Sequence, residues 1–202
     1  LLSERFGVDA LRFFLLRTFP FGSDGNFTNE LLINTINVDL ANVLGNLVSR
    51  TTAMAQKYFD GKLPAGGQSE ALDAELETLA AEVVANYTKQ MDAFQFSAGL
   101  NEAFKLIGRA NKYIDETAPW VLAKSEEQKP RLLKVLKNLC ECIRVAAILI
   151  TPVMPDTAEA ILNQLKVPAE GRTWDALKYC GCDNCSWEPA VAAPLFPRID
   201  ME

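Results

Sequence analysis

Histidine is absent from all 202 residues. Without it the chain cannot build a Ser/His/Asp triad, a Cys/His pair, an HExxH zinc site or an imidazole general base. A glycine loop that would cradle phosphates is missing as well, so the chain is expected not to catalyse a reaction on its own. Long apolar runs are scarce. The longest nearly apolar stretch, Val145 to Met154, contains Thr151 and Pro152 and falls short of the roughly 18 residues that cross a bilayer; no membrane span is expected. Positive charge is in deficit too: 20 Lys and Arg face 26 Asp and Glu, a net charge of -6. That excludes a generally basic nucleic-acid coat, so any RNA must be held by a local patch against the overall field. Nor is there the sustained apolar/polar alternation of strands.

What remains is helical periodicity on a composition of 49% hydrophobic and 23% charged residues, enough chain for one large domain or one domain with an appendage. The five cysteines form an odd set without regular spacing, which argues against a secreted disulfide framework and for a reducing, cytoplasmic setting. Residue 1 is Leu, and Leu1 to Arg17 reads as a charged amphipathic helical stretch unlike a signal peptide; the chain is expected to come from something longer.

The pattern predicts an all-α antiparallel bundle. A short helix, Val8 to Thr18, stops at Pro20, and turn formers fill Gly22 to Asn26. Residues 1–30 thus form a small segment before the main domain, 31–202. From Thr28, an N-cap with Glu30 in the first turn, a long helix runs to about Phe59 and stops at Gly61. A second, Ser69 to about Ala93, is expected to pack antiparallel to it. Ser97 is expected to cap a third, which ends at Pro119. Another follows Pro130 and ends at Pro152; Cys140 and Cys142, two apart on it, are expected to face different sides, with at most one in the core. A last helix runs from about Asp156 to Lys166, and from about residue 167 the chain is expected to be an irregular tail packed across the bundle.

On the long helix Asp39, Asn42, Asn46 and Arg50 form a polar stripe beside the core-facing positions. At the break after the third helix stands Ala118–Pro119–Trp120. Arg offers five fixed donors, Asn a donor and an acceptor, Trp a flat face; unstacked RNA bases are read by such groups. The same residues also suit an exposed helix face and an aromatic pinning a corner. Lys105, Arg109 and Lys112 form a basic stripe leading to Trp120, a candidate phosphate track or a solvated face.

The segments Arg5–Arg17, Asp39–Arg50 and Asp115–Trp120 occur in order with Phe21–Phe27, Lys57–Gly61, Thr151–Ala158 and Pro194–Ile199, and together they resemble the methionyl-tRNA synthetase family over almost the whole chain. The resemblance implies part of a class I aminoacyl-tRNA ligase, joining methionine to its tRNA with ATP, that begins after the KMSKS loop and holds the helical anticodon-binding bundle. The HIGH-like and KMSKS motifs are absent, so no residue here is assigned to ATP, magnesium or methionine, and any zinc belongs to the missing catalytic domain. It further implies that Asn46, Arg50 and Trp120 read a CAU anticodon, with Asp39, Asn42 and Asp115 as supporting neighbours. Residues 1–30 would be a stem-contact segment toward the inner side of the tRNA. Partners are then methionine tRNA and the protein's own catalytic domain, with no membrane; the oligomeric state is open.

Cys180, Cys182 and Cys185 form a CxCxxC cluster beside Tyr179 and Trp187. Clustered thiolates suit zinc, yet a closed site needs a fourth ligand and no histidine can supply it. The cluster is a metal candidate or a set of reduced small residues in a turn. A different class of function is therefore a helical protein-interaction module with a cysteine-rich metal-binding tail, recognised by bound metal and indifference to tRNA.

Overall fold

The computed structural model describes residues 2–179 and 185–200. Two short helices open it, α1 (Leu2–Phe6) and α2 (Val8–Thr18). The single amphipathic stretch expected there is broken at Gly7, which adopts φ 84, a conformation that glycine enters without steric cost. Phe13 and Phe14 of α2 are fully buried, Arg12 donates to the carbonyls of Pro152 and Val153, and Asp9 accepts from the backbone N–H of Thr157. The N-terminal segment is therefore packed into one end of the bundle.

A continuous helical stretch follows, α3 (Asn29–Phe59). The Thr28 hydroxyl caps it by accepting from the Leu31 N–H at 3.1 Å. Periodicity did not anticipate its middle: Ile36–Gly45 is wound as a π-helix between α-helical ends. By length and hydropathy α3 could reach across a membrane, but Leu32, Ile36, Leu40, Leu44, Leu47 and Val48 are buried against other helices and polar residues line its other side, the profile of a core helix.

The remaining helices are α4 (Ala71–Asp92), α5 (Phe96–Thr117), the single turn α6 (Pro119–Leu122), α7 (Lys129–Ile150) and α8 (Pro155–Gln164). The expected pairing of α3 with α4 is corrected. The main partner of α4 is α5, and the C-terminal half of α3 packs on α7, because the loop over residues 60–70 carries the chain across the bundle before α4 begins. Ser97 is not the cap of α5, whose N-cap is Gln95; its hydroxyl instead donates to the Arg17 carbonyl at 2.7 Å, tying α5 to the end of α2.

α7 is the centre of the molecule. From Arg131 to Ile150 every side chain on it is buried, so Cys140 and Cys142 are both in the core. A helix enclosed on all sides has no outward face, which overturns the expectation that only one could be. Burial pushes both thiols well above the usual cysteine range. Beyond α8 the chain crosses the bundle through two 3-10 turns, and Trp187 pairs with Leu63 in an isolated antiparallel bridge. Among the described residues there is no strand.

Candidate nucleic-acid interface

α5 ends where Ala118 enters the left-handed region at φ 43. Its N–H still closes on the Ile114 carbonyl, and Pro119, with no N–H to leave unpaired, begins α6. This turn lifts the next residue away from the bundle, and Trp120 is 45% exposed. Five residues back, Asp115 meets Arg50 of α3, Oδ1 to Nη2 at 3.1 Å. That ion pair bridges the two elements carrying the candidate residues. Asn46 lies one turn before Arg50 on the same face, and Asn42 one turn before that; both are exposed.

Asp39 does something else. It pairs with Arg17 at 3.1 Å, and Arg17 also bonds Asn101 and lies over the rings of Phe13 and Phe104. Three turns from Arg50, it ties α3 to the N-terminal segment. Each remaining cation of the expected basic stripe is matched: Lys105 by Glu102, Arg109 by Glu75 and Glu116, and Lys112 by Glu116. The stripe is thus neutralised within the bundle, and Asn42, Asn46, Arg50 and Trp120 offer donors, acceptors and a ring.

Sequence reasoning missed two features. The π segment ends at Gly45, immediately before Asn46, and the Asn46 N–H reaches back to the Ala41 carbonyl; such winding is rare and concentrates at functional sites. Asn111 of α5 donates from Nδ2 to the Val43 carbonyl of that segment at 3.0 Å, fixing its height against the helix that leads to Trp120. No local pattern around an asparagine inside an ordinary helix announces that bond.

No group of three or more His, Cys, Asp and Glu that could hold a metal occurs among the described residues. Cys180 and Cys182 lie outside the described residues, while Cys185 is half-buried and lines a cavity of about 680 Å³ together with Arg144, Lys166, Val167 and Trp187. That cavity is built by the tail and α7, with none of Asn46, Arg50 or Trp120 in its wall.

Residues 63–182, which include Trp120 and most of the bundle, match the family described as the anticodon binding domain of methionyl tRNA ligase. The chain belongs to that family. Residues 1–52, which include Asn46 and Arg50, match the class I tRNA synthetases of the methionyl type, so the candidate face draws on both matched stretches. Methionine–tRNA ligases of Caldanaerobacter subterraneus and Clostridium tetani are 50% and 48% identical to this chain over 201 residues. The chain spans 31% of the length of each of these relatives while being matched along all of its own. The apo structure of Mycobacterium tuberculosis methionyl-tRNA synthetase superposes with a TM-score of 0.91 at 37% identity, covering all of this chain and 40% of that one. A structure of the same enzyme bound by methionyl-adenylate gives 0.89 at 37% identity over 97% of this chain and 39% of that one. The all-α bundle expected from the sequence is the architecture these proteins share.

Proposed function

We propose that this anticodon-binding domain reads the CAU anticodon of methionine tRNA as part of a methionine–tRNA ligase. Trp120 stacks on the first anticodon base, Arg50 and Asn46 hydrogen-bond the edges of the exposed bases, and Asn42 supports them. Asp115 orients Arg50. Asp39 acts at a distance, through Arg17. The observation that carries this reading is the Arg50–Asp115 contact at 3.1 Å, which brings a donor-rich helix face and an exposed indole to one side of the bundle. Residues 1–30 are the part of the chain nearest the inner side of the tRNA. The whole ligase, in the cytoplasm, joins methionine to tRNA using ATP and magnesium at residues outside this chain; any structural zinc would also lie outside it.

The Lys105, Arg109 and Lys112 stripe is internally matched and the chain is net negative, so affinity comes from stacking and edge contacts more than from phosphate neutralisation. The test is binding at low salt to an RNA hairpin with a CAU loop and to one with a scrambled loop, for the native chain, Trp120→Ala and Arg50→Ala. Selectivity for CAU that weakens in both variants is expected. Selectivity unaffected by either would keep the domain and discard these residues as its carriers; equal binding of both loops would remove anticodon reading.

A further inference from the structure

The cavity of about 680 Å³ between α7 and the tail is held open by fixed bonds. Arg144 of α7 commits all of its donors there. It gives two to the Glu141 carboxylate at 2.7 and 2.8 Å and three to the tail carbonyls of Gly171, Ala176 and Lys178, at 2.8, 2.9 and 3.2 Å. Lys166, just past α8, has φ 51, a left-handed conformation that a residue other than glycine holds at a cost. The turn it makes lets the Val167 N–H close on the Leu162 carbonyl at 2.9 Å. On the opposite stretch of the tail, Trp187 exchanges backbone bonds of 2.8 and 2.9 Å with Leu63, which fixes where its indole lies.

The wall is apolar with one unmet donor. Leu165, Val167, Pro168 and Trp187 supply hydrocarbon, and the charges cancel, Arg144, Lys166 and Lys178 against Glu141, Asp175 and Glu188. Lys166 and Glu188 pair with each other at 3.1 Å. Trp187 is 8% exposed, and among the described residues its indole Nε1–H meets no acceptor. A buried donor left without an acceptor costs more than a hydrogen bond contributes, and it is uncommon in folded proteins. Cys185, half-buried, lines the same space.

We propose that this cavity binds a flat, uncharged, largely hydrocarbon small molecule with one carbonyl or ring-nitrogen acceptor for the Trp187 Nε1–H. Sites that enclose such ligands run to roughly 300–1,000 Å³ and combine apolar walls with a few placed polar groups. An anion is a poor occupant, because the donors of Arg144 are spent and the remaining charges balance. A purely apolar occupant would fill the volume but leave the indole N–H unmet. The ligand would touch α7 and both stretches of the tail, so its binding ties together segments that the chain otherwise joins through Arg144.

Three flat bicyclic probes of similar size test this on the native chain: coumarin, which carries a neutral carbonyl acceptor, naphthalene, which has none, and the naphthoate anion. Binding is followed in nitrogen–proton correlation spectra of the indole groups, with the Trp187 resonance assigned as the one lost in Trp187→Phe. Coumarin should move that resonance, slow the alkylation of Cys185 by iodoacetamide, and bind about fivefold more tightly than naphthalene, the ratio that one hydrogen bond gives. Naphthoate should bind more weakly than coumarin. In Trp187→Phe, which keeps an aromatic ring in the wall, naphthalene should still bind and the preference for coumarin should disappear. An unmoved Trp187 resonance with unchanged Cys185 alkylation overturns the proposal, as does a shift confined to Trp120 or Trp174. Naphthalene or naphthoate binding as tightly as coumarin also overturns it, and so does a coumarin preference that survives in Trp187→Phe. The comparison of probes on the native chain decides the matter even where that variant is poorly folded.

Discussion

Asp73→Ala should be among the most damaging substitutions in this molecule, and its cost can be worked from contacts. The Asp73 carboxylate accepts from Arg131 at 2.7 and 2.9 Å, from the Tyr113 hydroxyl at 2.5 Å and from the Glu70 backbone N–H at 2.9 Å. These bonds join the first turn of α4, the start of α7 and, through Tyr113, the last turns of α5, two residues before Asp115 and seven before Trp120. Truncation leaves the Arg131 side chain, 2% exposed, with Glu70, 54% exposed, as its one remaining carboxylate partner beside the neutral Gln68 carbonyl and Tyr113 hydroxyl. A buried charge stripped of its main partner costs about 3–5 kcal/mol, which for a domain of this size lowers Tm by roughly 6–20 °C. Urea unfolding followed by far-UV circular dichroism reads the loss as a lower midpoint at unchanged slope. The double variant Asp73→Leu with Arg131→Met removes both charges and should recover most of it. A loss below about 1 kcal/mol in Asp73→Ala would refute the reasoning, since that is the range of exposed pairs. Burial by itself would raise the Asp73 carboxyl, but the bonds from Arg131, Tyr113 and the Glu70 N–H outweigh it and hold the group below its ordinary 3.8. Its contribution is therefore complete above that pH and is lost as pH falls through the depressed folded value. Acid should destabilise the native chain more steeply than the double variant.

Three further outcomes follow from the same structure. Trp120→Ala should weaken CAU-hairpin binding by about 1–3 kcal/mol, the value of one base stack on an aromatic, measured by fluorescence titration of labelled RNA. Burial pushes Tyr87 up to about 12, and burial together with the Asp73 bond raises Tyr113 as well; both must stay neutral in the fold, so stability complete below the ordinary tyrosine value of 10.0 should be lost as pH rises from there toward the folded value of about 12, seen as a falling urea midpoint across that interval. Mass-spectrometric mapping of thiol alkylation should find Cys140 and Cys142 modified only as fast as the chain unfolds, with half-buried Cys185 reacting earlier; rapid native labelling of Cys140 or Cys142 would contradict the enclosed position of α7.

The sequence by itself determined the helices and the residues of the candidate face. Apolar spacing, Thr28, Gly61, Pro119 and Pro152 act through neighbours a few positions away, so the ends of α3, α5 and α7 are legible without knowing what they pack against. The order of Asp39–Arg50 and Asp115–Trp120 likewise pointed to the family before any coordinate did. Tertiary structure decided what depends on residues far apart in the chain. The choice of α5 over α3 as the partner of α4 follows from the path of the loop over residues 60–70. The burial of both Cys140 and Cys142 follows from enclosure of α7 on every side, which no periodicity within α7 encodes. Asp39 shares a helix stripe with Arg50 yet serves Arg17, 22 residues earlier. Asn111 reaches a carbonyl 68 residues away in a π segment whose apolar pattern reads as ordinary helix. Local propensity fixes where a helix starts and stops; which polar groups it presents, and to what, is set by long-range packing that must pair each buried donor, acceptor and charge.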